Sequence, residues 1–292
     1  MSERTAAGSA AIEGAVAQAG DNLAAGTGAG AGAGIDAGAA GGAGAGTMLQ
    51  AVNLTRRFGG LAAVNRVSID LHRGEVHAVI GTNGAGKSTL VNMLSGELPP
   101  SDGTIRLGAH DITGWSQPRR ARAGIGRSYQ RTNIFGELSV FENARLSAQA
   151  AHQRAWACWE SARACTISGR SAAEAIAAAG LTDHAERVAG SLSHGGKRQL
   201  EIAMCLATRP QVLLLDEPLA GMGAEETERM LALLAELKRD HAILLIEHDM
   251  DAVFRIADRI TVMVNGEVVA TNVPAAIRTD PVVRTAYLGE DA

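Results

Sequence analysis

The 292 residues carry a net charge of −4, so bulk electrostatics give no case for nucleic-acid binding. Cys158, Cys165 and Cys205 are odd in number and lack metal-type spacing, which predicts reduced thiols in a cytosolic setting. No run of 18 or more strongly apolar residues occurs, so the sequence predicts no span that crosses a membrane by itself.

In chain order, residues 1–46 are mostly Gly and Ala and end in an alternating Gly-Ala stretch. Such a segment offers little apolar area against a backbone entropy cost of about 1–2 kcal/mol per residue, and it reads as a flexible tail. Arg4 stands nearly alone and no Leu/Val-rich run follows, so a signal peptide is not expected. Met48 stands where patterned sequence begins and is a candidate start, which leaves 48–292 as one α/β unit.

Val52 and Leu54, then Val67, Ile69 and Leu71, alternate with polar residues and predict an antiparallel sheet with one buried face. Arg73-Gly74 turns the chain into Glu75–Ile80, a short apolar strand. Gly81-Thr82-Asn83-Gly84-Ala85-Gly86-Lys87-Ser88 follows at once and matches the phosphate-binding pattern G-x-x-x-x-G-K-S. Its glycines let successive N–H groups turn around an anion, Lys87 supplies a positive charge for the β- and γ-phosphates, and Ser88 offers a hydroxyl to Mg²⁺. Leu90, Met93 and Leu94 predict a helix behind the loop, ended by Gly96 and Pro99-Pro100.

Residues 131–191 read as an Ala-rich helical insert. Within it Ser171 and Glu174 have capping-box spacing, Ile176 continues the helix and Gly180 marks its end. Trp156 and Trp159 sit one helical turn apart, suited to core packing or to a partner-binding face. Gln199–Ala207 predicts a helix with Leu200, Ala203, Met204 and Ala207 on one face. Val212–Leu215 and Ala242–Ile246 are apolar on both faces, the pattern of parallel strands covered by helices.

Asp216-Glu217 ends the first of these strands, and ligands gather at the carboxyl ends of parallel strands. Asp216 suits Mg²⁺ and Glu217 suits the polarising of an attacking water. Glu247-His248-Asp249 ends the next strand, where His248 could reach a γ-phosphate. Asn265-Gly266 predicts a hairpin between two further strands.

Together these residues resemble the nucleotide-binding subunit of ABC transporters over nearly everything after the tail. The resemblance implies a P-loop ABC ATPase core with a mostly parallel sheet, an N-terminal antiparallel β subdomain and the inserted helical subdomain. Phe58, in Arg56-Arg57-Phe58-Gly59-Gly60, stands where the family stacks an aromatic on adenine. Gln130 stands at the glutamine that opens the helical subdomain and serves catalysis and Mg²⁺. Leu192-Ser193-His194-Gly195-Gly196 stands in place of the signature, with Ser193 and Gly195 at its phosphate-facing positions and His194 in place of a glycine. Gly223 occupies a position where many members carry Asp.

The implied ATP-binding set is therefore Phe58, Gly81, Asn83, Gly84, Ala85, Gly86, Lys87, Ser88 and Thr89, with Ser193 and Gly195 acting across a dimer. The implied catalytic set is Lys87, Gln130, Glu217 and His248, and the Mg²⁺ set is Ser88, Gln130 and Asp216. The strings Phe58–Leu61, Leu200–Ala203, Asp216–Met222 and Ala286–Glu290 are similar to subunits that energise uptake of branched-chain amino acids. Partners would then be transmembrane permeases, a second ATP-binding subunit and, indirectly, a periplasmic substrate-binding protein, at the cytoplasmic face of the inner membrane. Import of urea or an amide, lipopolysaccharide-type export, and a soluble ABC ATPase of repair or translation remain alternatives, as does a nucleotide-binding module without turnover.

Overall fold

A computed structural model describes residues 46–129, 133–152 and 166–288. The predicted tail, Gln130, Trp156, Trp159, Cys158, Cys165 and Gly289-Glu290 lie outside the described residues.

β1 (Thr47–Phe58) and β2 (Leu61–His72) pair antiparallel, as the alternation predicts. One detail differs. Ala51 and Leu54 face the core while Val52 is 37% exposed. The cause is an extra residue in β1, where the pairing moves from Ala51↔Ile69 to Leu54↔Val67 and Asn53 takes a φ of 51°. β4 (Asp102–Leu107) and β5 (His110–Asp111) complete this sheet in the order β2-β1-β4-β5.

The second sheet runs β10-β9-β3-β8-β7-β6. Its strands are β3 (Val76–Gly81), β6 (Ile125–Arg127), β7 (Val212–Asp216), β8 (Ala242–Ile246), β9 (Arg259–Val264) and β10 (Glu267–Asn272). All its pairs are parallel except β9–β10, which the Asn265-Gly266 hairpin closes with φ of 49° and 83°, the sign a type I′ turn requires.

Because successive side chains point to opposite faces, the apolar runs of β7 and β8 serve two cores. Val212, Leu214 and Leu244 pack with α1 (Lys87–Ser95) and with Leu49, Leu54 and Ile105 of the antiparallel sheet. Leu213, Leu215 and Leu245 pack with α5 (His194–Leu206) and α6 (Ala224–Leu237), and this core continues to α3 (Val140–His152) and α4 (Thr166–Ala178). A smaller core joins Ile80 and Val262 to α7 (Met250–Ile256), α8 (Pro274–Thr279) and α9 (Pro281–Leu288).

Two local expectations are corrected. Ser171 lies inside α4, is buried, and its hydroxyl finds no partner among the described residues, so it caps nothing. Glu174 instead meets Arg209 at 3.0 Å. The end of α4 is as expected, with Gly180 at φ 71° and Leu181 N–H donating to Ile176 O, a Schellman closure. The helix expected from Gln199 begins earlier, because Ser193 caps it by accepting Gly196 N–H at 3.1 Å. Cys205 is a free thiol donating to Arg127 O, and burial pushes it up to about 12, which disfavours the thiolate.

α2 (Gln117–Arg122) carries the most deeply placed arginine among the described residues, Arg120, 1% exposed. Its guanidinium donates to the carbonyls of Met93 and Leu94 at the end of α1 and to those of Thr113 and Trp115. The helix behind the Gly81–Ser88 loop is thereby anchored at its far end.

Candidate functional site

The Gly81–Ser88 loop joins the carboxyl end of β3 to the first residue of α1. Gly86 has φ 95°, and a Cβ there would stand 2.3 Å from Ala63 O on β2, so only glycine lets the loop close under that strand. A Cβ on Gly81 would meet Met263 O at 2.3 Å. Gly266 N–H donates to Ala85 O at 3.1 Å, so the β9–β10 hairpin holds the loop from one side while β2 holds it from the other. Ala85 is buried, Thr89 half-buried, and Asn83, Gly84 and Ser88 line the exposed rim.

The Lys87 ammonium lies across the loop mouth and donates to Gly81 O at 2.6 Å and Thr82 O at 3.1 Å. Burial lowers its pKa from the ordinary lysine value, while attraction to Glu217 and Asp216 opposes that drop. The sequence-predicted cation and carboxylates are thus brought into one electrostatic neighbourhood.

The topology explains how. β7 stands two places from β3, with β8 between, and Asp216 is level with Ile246, itself level with Val79. Asp216 is 5% exposed, and its N–H donates to Ser128 Oγ. Burial raises its carboxyl above the ordinary range, Arg127 pulls it down, Glu217 raises it again, and Lys87 opposes. Glu217 has φ 51°, a left-handed backbone that L side chains avoid, and its N–H donates to Ile246 O at 2.9 Å. The turn aims its carboxylate off the strand end toward His248, whose Nδ1 is 3.9 Å from Glu217 Oε1. The His248 ring is largely exposed.

Phe58 ends β1 opposite Leu61 and is 48% exposed, two residues along the hairpin from the strand that covers Gly86. Arg56 already lies over one face of its ring at 4.8 Å from the centroid. Ser193 and Gly195 open α5, and both donate to Glu226 on α6: Ser193 Oγ at 2.8 Å and Gly195 N–H at 3.2 Å from Oε1. His194 Nε2 lies 2.9 Å from Ala220 O, across to the loop after Glu217.

Three residues beyond the predicted set shape this site. Glu247, 1% exposed, accepts Leu219 N–H at 2.8 Å and so suspends the loop after Glu217 from the end of β8. Arg127 donates to Asn92, Ser95 and Glu97 near the end of α1, stacks on Tyr129, and is the leading attraction on Asp216. Glu226 holds the signature segment. A buried-strand end followed by Asp249 as helix cap marks Glu247 in sequence, and Gly223 with Glu226 three residues later has helix-start spacing. Arg127 carries no local signal, because its hydrogen bonds to Asn92, Ser95 and Glu97 are all tertiary.

A glycine loop between a buried parallel strand and a helix, facing paired carboxylates across one intervening strand, defines a P-loop nucleotide-binding protein. The sequence profile of the ABC transporter family matches residues 64–220. The high-affinity branched-chain amino acid transport ATP-binding protein LivG of Salmonella typhimurium is 44% identical over 253 residues, 83% of this chain and 98% of its own. BraF of Pseudomonas aeruginosa, with the same description, is 42% identical over 251 residues at the same coverage. Among solved structures, a nucleotide-free ATP-binding cassette from an ABC transporter superposes with a TM-score of 0.72 at 28% identity, covering 84% of this chain and 100% of that one. The chain belongs to the ABC transporter family.

Proposed function

We propose that this chain is the ATP-hydrolysing subunit of an importer of branched-chain amino acids, working beneath membrane permeases. One observation carries the catalytic half of the reading: the Gly81–Ser88 loop, Lys87, Asp216 and Glu217 meet at the carboxyl ends of two parallel strands separated by one other. The cargo half rests on full-length likeness to subunits described as branched-chain amino acid transporters.

ATP seats its phosphates on the loop amides and the start of α1, where the helix dipole and Lys87 favour negative charge. Lys87 leaves the Gly81 and Thr82 carbonyls for the β- and γ-phosphates, exchanging neutral acceptors for charged ones. Asp216 and the Ser88 hydroxyl fit Mg²⁺, because hard oxygen donors few in number suit an ion that keeps phosphate and water ligands. An Mg²⁺ held there by Asp216 and Ser88 would supply positive charge against that developing on the transferred phosphoryl group. Gln130, which follows Tyr129, would complete that set.

Glu217 accepts a proton from the attacking water, with its left-handed backbone fixing the approach. His248, 3.9 Å from the Glu217 carboxylate, would contact the same γ-phosphate region. Phe58 offers its remaining ring face to adenine. Ser193 and Gly195 serve the nucleotide of a second ATP-binding subunit, so ATP draws two cassettes together and hydrolysis releases them.

Among the described residues no helix is long and apolar enough to cross a membrane. In this reading the transport path belongs to the permeases. Phe135, Leu138 and Val188 are exposed apolar residues within the insert, brought near one another by the Ser139–Val188 bridge, and suit permease contact, which would hold the subunit at the inner face of the membrane. Reassembly in vesicles with permeases and binding protein tests the reading. ATP-dependent uptake of labelled leucine, isoleucine or valine is expected. Uptake of urea alone, or outward movement of cargo, would overturn the assignment.

A further inference from the structure

The signature segment already holds an anion in this chain. Ser193 Oγ and Gly195 N–H converge on one oxygen of Glu226, and Gly195 permits the approach because a Cβ there would lie 2.7 Å from Glu226 Cδ. These donors open a 13-residue helix, α5, whose positive end faces the carboxylate. Glu226 also takes Gly223 N–H at the start of its own helix. The bond from Ser193 first, then those from Gly195 and Gly223, hold its carboxyl below the ordinary range, so it is a full anion at neutral pH. His194, bonded to Ala220 O, tethers the same two elements a second time.

We propose that Glu226 is a gate on the signature segment: its carboxylate occupies the face that Ser193 and Gly195 would offer to a γ-phosphate on the second subunit, and that phosphate must displace it before the cassettes close. The proposal rests on the paired-cassette reading given above. Two anions cannot share one hydroxyl and one amide, and like charges at that separation repel. Glu226 is only half-buried and sits in the first turn of α6, so its side chain is free to swing out by rotamer change. The closed, ATP-holding state is therefore set back by an anion exchange, which raises the ATP concentration needed to reach it.

The alternative role is a helix cap alone. Glu226→Gln separates the two, since glutamine serves the cap equally well and removes the charge. In the transporter reassembled with its permeases and second cassette, Glu226→Gln should lower KM for ATP by roughly three- to tenfold with kcat little changed. In a Ser193→Ala background the same change should shift KM by less than about twofold, because the shared donor is gone. An unchanged or raised KM in the single variant would overturn the gate. A Ser193→Ala transporter with full turnover would overturn the paired-cassette reading itself, and the gate with it.

Discussion

Glu247 accepts the Leu219 N–H at 2.8 Å, so the loop leaving Glu217 hangs from the end of a neighbouring strand. That carboxylate is buried and held above the ordinary range, first by burial, with the Leu219 and His248 N–H groups opposing. Removing it leaves a buried amide unpaired at a cost of about 1–3 kcal/mol. Glu247→Ala should therefore lower kcat with little effect on nucleotide affinity. A calorimetric titration beside an ATPase assay checks this, and a variant with wild-type kcat contradicts the positioning role.

Asp216 and the loop lysine make opposite predictions. Lys87→Ala removes a cation that sits on the loop itself and should weaken ATP binding, read as a raised dissociation constant by titration. Gly86→Ala should do the same for a different reason, since its Cβ would collide with Ala63 O and spread β2 from the loop.

Asp216→Asn should stabilise the fold while abolishing turnover. Its carboxyl is raised by burial, so the native state binds that proton more tightly than the unfolded chain. The sign follows: the group's contribution is intact below the ordinary carboxylate range and is lost as pH rises through its raised value. At neutral pH the asparagine variant avoids that loss and should melt higher. The difference should vanish only well below about pH 4, where the wild-type aspartate is protonated in both the folded and the unfolded states. Melting curves across pH decide it, and a lower melting temperature at pH 7 would contradict the burial argument.

Arg120→Met should destabilise the protein by roughly 2–4 kcal/mol, since four main-chain carbonyls lose a buried donor. Arg120 is pushed down to about 10 by burial, still far above neutral pH, so the loss should be independent of pH between 6 and 8. Denaturant titration reads it.

Most of this architecture was legible because its signals are local. The two apolar runs Val212–Leu215 and Ala242–Ile246 could only be covered strands, and the glycine loop declared its strand and helix. Val52 was misplaced because a bulge shifts pattern by one residue, and alternation cannot foresee that. Ser171 had cap spacing but lies inside a helix that packs its neighbours Ala172 and Ala175 into the core, where tertiary contact outweighs a local cap. Strands β4 to β6 are short and mostly polar and so carry no periodic signal in the sequence. The strand-end carboxylates were readable from position, whereas Arg127 and Glu226 act mainly through partners far away in sequence, such as Glu226 with Ser193.

Turnover by Glu217→Gln tests the central claim most directly. The variant should bind ATP with wild-type affinity and hydrolyse it roughly 10²–10⁴-fold more slowly, the usual worth of a positioned base. Wild-type hydrolysis by that variant would contradict the account.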